Sequence, residues 1–578
     1  MTVTPAGSQM LTALVRLRAA LKSAALPLEV PGVDEHRLAR DEMVNQLEDY
    51  VIPRILALEA PLLAVVGGST GAGKSTLVNS LVGAVVTESG LLRPTTRSPV
   101  LVHNPADADW FGADRLLPEL ERVHHATHDP HALQLVPVDV VPQGLAILDA
   151  PDIDSVEESN RVLAAQLLAA ADLWLFVTSA ARYADQVPWD FLRHAAERSA
   201  AVAIVLDRTP PDAVDTVATH LARMLAARGL KDSPLFTVNE ATLTENGLLA
   251  PRHVAEIRSW LTDLGGDSAA RAAMVQQTLE GAVRSLTQRA HAVADACVEQ
   301  ADAAERLRQG ADAAYDEEVA RLLAATADGT LLRGEVLVRW QEFVGTGELL
   351  RTLEAKVGWL RDRMVSMIKG KPQQAERVSV AVESSLETLI VEHAEAAAER
   401  AEASWRSLAP GQELLSDVGE DLGRASRGIH RRAERAVRDW QHDVVEMVRA
   451  EGADKRTTAR FLAYGVNGLA VALMVVVFAS TAGLTGAEVG IAGGSAVLGQ
   501  KVLEAVFGDQ ALRTLAERAR RRLEARVRGL LDEERNRYLD LLASLGLESG
   551  AADRLRDAAR AVDDLRYASV DRTSTHSY

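Results

Sequence analysis

The stretch Leu62–Gly83, "LLAVVGGSTGAGKSTLVNSLVG", decides the fold. It opens on an apolar run short enough for a buried strand and closes on an apolar, helix-compatible run. Between them Gly68-Ser69-Thr70-Gly71-Ala72-Gly73-Lys74-Ser75 matches GxxxxGK[ST] in full, with Thr76 following. A strand, a glycine-rich turn and a helix in that order form a phosphate-binding loop. The glycines let backbone N–H groups close around phosphate oxygens, and the helix N-terminus adds the positive end of its dipole. In such a loop Lys74 reaches the β and γ phosphates, and the Ser75 hydroxyl binds Mg²⁺.

Working outward, other apolar runs follow: "LAILDAP", "LWLFVTSA", "AVAIVLDR" and "PLFTVNE". They alternate with amphipathic stretches. Continuous apolar runs of this kind predict buried parallel strands covered by helices on both faces. The α/β nucleotide-binding domain is therefore placed at residues 59–262, after N-terminal helices over 1–58. From residue 268 the strands stop. Val283, Leu286, Ala290, Val293 and Cys297 are spaced 3, 4, 3, 4, the seam of a helix packing along another in coiled-coil fashion. A helical stalk is expected over 268–455, an apolar hairpin over 456–507, basic returning helices over 508–567 and a disordered tail over 568–578. The N-terminal helices are expected to pack on the stalk.

Bulk properties agree with this division. A chain of 578 residues exceeds what one core usually holds. Aromatic content of 4% and long Ala-, Leu-, Glu- and Arg-rich stretches favour helix outside the α/β segment. The net charge of -18 argues against general nucleic-acid binding, which needs a basic surface. The single cysteine, Cys297, forms no internal disulfide, and the N-terminus lacks the apolar core of a secretion signal, so a cytoplasmic setting is expected. The histidine-rich "HHATHDPH" (His124–His131) reads as a polar loop interrupted by Pro130, in preference to a metal site.

Three further motifs follow the loop in the order used by G proteins. "RPTTRSP" (Arg93–Pro99) supplies Thr95 or Thr96 where a switch threonine senses γ-phosphate and Mg²⁺. "LAILDAPDIDS" ends a strand on Asp149, a carboxylate able to hold Mg²⁺ through water. The fourth position of that motif, usually glycine, is Asp152, whose charge opposes a γ-phosphate. "AVAIVL" then leads into Asp207-Arg208-Thr209-Pro210-Pro211-Asp212. Arg208 is placed to stack on a base, with Asp207 where Asn or Thr is usual and Asp212 two residues late for a guanine-reading carboxylate. The order of elements favours GTP, though the base-reading motif is not clean.

The segment Phe461–Ala487 carries no charged side chain. As a helix, Phe461–Ala482 would span about 33 Å, a bilayer's hydrocarbon thickness. "GLTG" then breaks it, and "VGIAGGSAVLGQKVLEAVFG" returns. Arg456 and Arg460 on one side and Lys501 on the other predict that both ends stay cytosolic. The competing expectation is a buried hairpin inside a helical bundle. Basic clusters at Arg427–Arg438 and Arg518–Arg528 are candidates for anionic lipid head groups.

Taken in order, "GGSTGAGKST", "RPTT", "DAPD" and "VLDR", with a helical arm and an apolar tip, resemble the bacterial dynamin-like large GTPases. The resemblance implies a P-loop G domain of mostly parallel sheet on an all-α bundle, with a hydrophobic hairpin that inserts into lipid. It implies GTP as ligand and substrate, Mg²⁺ as cofactor, and a membrane-associated GTPase on the cytoplasmic side of the cell membrane. It implies pairing through G domains, as a homodimer or with a second G protein. Dynamins carry a catalytic glutamine where this chain has Thr70, so turnover is expected to be slow, and Thr70, Thr95 and Thr96 remain the catalytic candidates. Two other readings are a nucleotide-controlled switch that binds a partner protein and, less favoured, an ATP-driven transport ATPase. The latter requires an LSGGQ-type signature, which the sequence lacks.

Overall fold

The computed structural model describes residues 5–88, 98–112, 115, 117, 119–127, 129–155, 157–197, 201–344, 372–452, 459–479, 499–504 and 506–574. The chain divides into two compact units. One comprises Met1–Leu26, Gly32–Glu299 and Glu548–Tyr578, the other Pro27–Pro31 and Gln300–Leu547.

The first unit is built on an eight-stranded sheet. Its strands are β1 (Leu62–Gly68), β2 (Val100–His103), β3 (Glu121–Val123), β4 (Ala132–Pro137), β5 (Leu145–Asp149), β6 (Leu173–Ser179), β7 (Ala201–Thr209) and β8 (Leu235–Asn239). The order across the sheet is β3-β4-β2-β5-β1-β6-β7-β8. Every neighbouring pair is parallel except β2 and β5, where Val100 faces Asp149 and His103 faces Ala146. Strands β1, β5 and β6 are buried along their whole length, as two-sided helix cover requires. Two apolar layers flank the sheet. One contains Leu63, Val65, Leu148, Trp174 and Phe176. The other contains Ala64, Val66, Leu77, Val78, Ile147 and Leu175.

Because β5 and β6 flank β1 on opposite sides, the chain leaves β1 at the point where the strand order diverges. In open α/β sheets such a switch point, outside the carboxyl ends of the strands, is where ligands bind. At the opposite end of the sheet a buried ion pair lines a cavity together with Tyr50, Trp110 and Phe111. Arg54, 5% exposed, lies 3.0 Å from Asp172, 2% exposed. Asp172 also accepts from the Leu63 N–H at 2.9 Å and the Tyr50 hydroxyl at 3.1 Å. The N-terminal helix Pro5–Ser23 packs on the C-terminal helix Ala551–Ser574 within this same unit. That last helix runs into the segment expected as a disordered tail.

The second unit is helical. The long helix Ser268–Ala327 contributes residues to both units. In the second it is joined by Glu335–Val344, Pro372–Arg406, Ala409–Asp417, Ile429–Glu451, Ala459–Ala479 and Asp509–Ser544. Its core holds Trp405, Trp440, Tyr315 and Tyr538, all fully buried. Each indole donates to a carbonyl, Trp405 to Leu307 at 2.8 Å and Trp440 to Ala519 at 2.9 Å. The polar edges are thereby satisfied while the rings fill the core. Two buried carboxylates are paired as well: Glu318 with Arg321, Arg400 and His393, and Glu534 with Arg432, Arg537 and Ser426.

The apolar region departs from the membrane-spanning expectation. Among the described residues no helix is long and apolar enough to cross a membrane. The helix Ala459–Ala479 is broken at Gly465, whose backbone is left-handed at φ 67°. Beyond that break, Leu469–Phe478 are buried without exception. This leg packs against Ile429–Glu451, Asp509–Ser544 and Pro372–Arg406. Phe478 lies 5.5 Å, ring to ring, from Trp440. A helix apolar on every face is satisfied by a bundle interior as well as by lipid, which is why composition alone pointed to a span. Residues 480–498, including "GLTG" and Glu488, lie outside the described residues, as do 453–458 with Arg456.

Candidate nucleotide site

At the carboxyl end of β1 the chain turns through Gly68–Gly73, and the helix Lys74–Val82 starts directly after it. Two glycines are required here. Gly68 has φ 152°, and a Cβ on it would fall 2.0 Å from the Val177 carbonyl oxygen. Gly73 has φ 103°, and a Cβ there would meet Asp207 Oδ2 at 2.1 Å. The loop is thus wedged between β6 and the end of β7, and only glycine fits both places.

Lys74 is almost fully buried. Its Nζ donates to the carbonyls of Gly68 at 2.9 Å and Ser69 at 3.2 Å, and pairs with the carboxylate of Asp152. Ser75 Oγ donates to Asp149 Oδ2 at 2.7 Å. The Thr87 hydroxyl donates to the same oxygen, also at 2.7 Å. Thr87 is itself buried, its backbone held by Asn79, which accepts from the N–H groups of Val86 and Thr87 and donates to the Thr87 carbonyl. Asp149 is fully buried, and burial raises its carboxyl above the usual range against the two hydroxyl donors that lower it. Among the described residues its Oδ1 has no hydrogen-bond partner, nor has the buried Ser69 Oγ.

Thr70 lies on the other side of the loop. Its N–H and its Oγ–H both donate to Asp154 Oδ1, at 2.5 and 2.7 Å. The second oxygen of Asp154 accepts from Arg182 at 2.6 Å. Asp152 and Asp154 flank Ile153, which is wholly buried, so both carboxylates face the loop.

At the end of β7, Asp207 is 3% exposed and its carboxyl is pushed up to about 6, chiefly by burial. Its Oδ1 accepts from the Arg208 N–H at 2.7 Å. Arg208 takes a left-handed φ of 49°, uncommon for a side chain with a Cβ, at an irregularity in the β7–β8 ladder between Leu206 and Thr209, which still pairs with Asn239. Its Nε lies near the position of Gly73.

The structure therefore brings together Gly68–Thr76, Asp149, Asp207 and Arg208. Thr95 and Thr96 lie outside the described residues. Sequence reasoning missed Thr87, which no motif marks, and missed the contacts of Asp152 and Asp154 with the loop and of Arg182 with Asp154. The three-residue offset between Asp149 and Asp152 was visible in "DAPD". That Asp152 reaches Lys74 requires the fold. The expected lipid-facing arginines are largely engaged. Arg432, Arg438, Arg521, Arg522, Arg526 and Arg528 all pair with carboxylates.

No protein-family model matches the chain, and no curated protein matches it. Among solved structures, the chain is similar to two chains of an oligomerised bacterial dynamin pair, described as providing a mechanism for long-range sensing and tethering of membranes. One match covers 93% of this chain and 95% of that chain at 10% identity and a TM-score of 0.40. The other covers 96% and 94% at 9% identity and a TM-score of 0.38.

Proposed function

We propose that this chain is a Mg²⁺-dependent GTP-binding protein that hydrolyses GTP slowly and couples its nucleotide state to membrane contact, in the manner of a dynamin-like GTPase. The observation that carries the nucleotide reading is the convergence of Lys74, Ser75 and Asp149 at the carboxyl end of β1. Backbone N–H groups of the loop and the helix at Lys74 supply the field that phosphate needs. Lys74 would hold the β and γ phosphates. Ser75 and Asp149 would hold Mg²⁺, and the fit is good: a hard cation wants oxygen donors, and Asp149 has a buried oxygen with no partner among the described residues. Arg208 and Asp207 lie next to the loop, where the nucleoside end of the ligand belongs. Asp152 engages Lys74 in place of phosphate, which supports slow turnover.

The test is equilibrium binding of fluorescent GTP, GDP and ATP, with and without Mg²⁺, to wild type and Lys74→Ala. We expect guanine nucleotides to bind in preference to ATP. Lys74→Ala should weaken GTP by at least about 10-fold, since charge-assisted bonds to phosphate are lost. Undiminished binding by Lys74→Ala would sink the assignment of the site.

The membrane half of the proposal rests on the apolar region 456–507. Its first leg is buried among helices here, so contact with lipid through that leg involves its release. Pairing through G domains, with a second copy or another G protein, belongs to the same proposal. A partner-binding switch is the second reading, favoured by the Asp152–Lys74 pair, which ties the phosphate lysine to the segment after β5.

A further inference from the structure

Phosphate loops offer N–H groups and a lysine to phosphoryl oxygens. In this chain two carboxylates already occupy such donors. Asp152 holds Lys74, and Asp154 holds both the N–H and the hydroxyl of Thr70. They stand two residues apart around the buried Ile153, whose N–H donates to the Gly68 carbonyl at 3.4 Å. The segment is therefore pinned by its apolar residue and presents both acids to the loop.

Asp154 does one thing more. Its two oxygens bridge Thr70 and Arg182, a separation that a tetrahedral phosphoryl group also spans with two of its oxygens. Arg182 sits in the turn after β6, its N–H donating to the Ser179 carbonyl at 2.9 Å. Its side chain is 38% exposed, with Asp185 at 3.8 Å as a weaker second partner. The guanidinium is thus free to shift by a rotamer while its backbone stays on the sheet. A group that displaces Asp154 from Thr70 inherits Arg182.

We propose that Asp154 is an intramolecular stand-in for phosphate, and that Arg182 contacts the terminal phosphoryl group of a bound nucleoside triphosphate. This rests on the reading of the loop as a nucleotide site. A planar guanidinium suits a phosphoryl group carrying full charge on its outer oxygens, and cations so placed are the usual means of stabilising that charge. A nucleoside diphosphate lacks the outer group. Arg182 therefore separates triphosphate from diphosphate, while Lys74 serves both.

The experiment is titration of a non-hydrolysable GTP analogue and of GDP into wild type, Arg182→Ala, Arg182→Lys and Asp154→Asn. Arg182→Ala should weaken the analogue roughly 10- to 100-fold and leave GDP within about two-fold. Arg182→Lys should fall between, since it keeps the charge and loses the fork. Asp154→Asn should tighten the analogue by about 10-fold, because a charged competitor is removed. The ratio of the two affinities is the decisive readout, since a merely structural arginine would move both together. Equal weakening of both nucleotides by Arg182→Ala and Arg182→Lys, or no change in either, overturns the inference and leaves the nucleotide site standing. If wild type binds neither nucleotide, the underlying reading fails and the inference goes with it.

Discussion

Asp207 shows how one buried side chain sets a measurable property of this site. It lies against Gly73, accepts from the Arg208 N–H, and has its carboxyl pushed up to about 6 by burial. In the unfolded chain the same group titrates near 3.8. Between those values the folded state holds the proton that the unfolded state has lost. The group's contribution to stability is therefore full below about pH 4 and is lost as pH rises through 6. Asp207→Asn removes this dependence. Chemical denaturation at pH 4, 5, 6 and 7.5 should show wild type losing on the order of 2–3 kcal/mol relative to the variant across that window. Parallel pH profiles of the two proteins would contradict the assigned burial. At this scale the sequence is legible where function is local. Gly68–Ser75 declares itself because loop, lysine and hydroxyl are consecutive. Asp149 is legible because it ends an apolar strand. Thr87, Asp154 and Arg182 are not, because what they touch lies 62, 84 and 28 residues away.

Elements were legible where a strand is one continuous apolar run. The runs "LLAVVGG", "LAILD", "LWLFVTS", "AVAIVLDR" and "LFTVN" correspond to β1, β5, β6, β7 and β8. β2, β3 and β4 were not read from the sequence, although β2 is buried along its whole length. β3 has three residues and an exposed glutamate, and the antiparallel seating of β2 on β5 leaves no mark in either strand. The apolar leg illustrates the opposite failure, a strong signal with two physical solutions. Phe478 separates them. It is fully buried, and its ring sits on Trp440. If the leg is a core helix of the second unit, Phe478→Ala leaves a cavity and should cost about 3–5 kcal/mol of that unit's stability in lipid-free buffer. Thermal unfolding followed by circular dichroism measures it. An unchanged transition would mean that the leg is not part of the folded core.

For the molecule as a whole, charge and apolar surface pull in different directions at a membrane. The chain carries a net charge of -18, which works against attraction to an anionic bilayer. Six arginines of the two basic clusters are engaged with carboxylates, which reduces their reach for head groups. Lipid contact should then depend on apolar insertion, and the ten consecutive residues Leu469–Phe478, buried in this state, belong to the region that would supply it. Two consequences follow for flotation of the full chain with anionic and with neutral liposomes. Flotation should respond to nucleotide, rising with a non-hydrolysable GTP analogue over GDP and staying low with the ATP analogue. It should also change little between low salt and about 0.5 M salt, because screening over a few ångströms weakens charge attraction but leaves burial of apolar surface intact. Flotation that collapses with salt would assign the contact to the arginines of the basic clusters instead. Flotation that ignores nucleotide would separate membrane contact from the site at Lys74, and no flotation in any state would leave the apolar leg a permanent part of the helical core and favour the switch that acts on a protein partner.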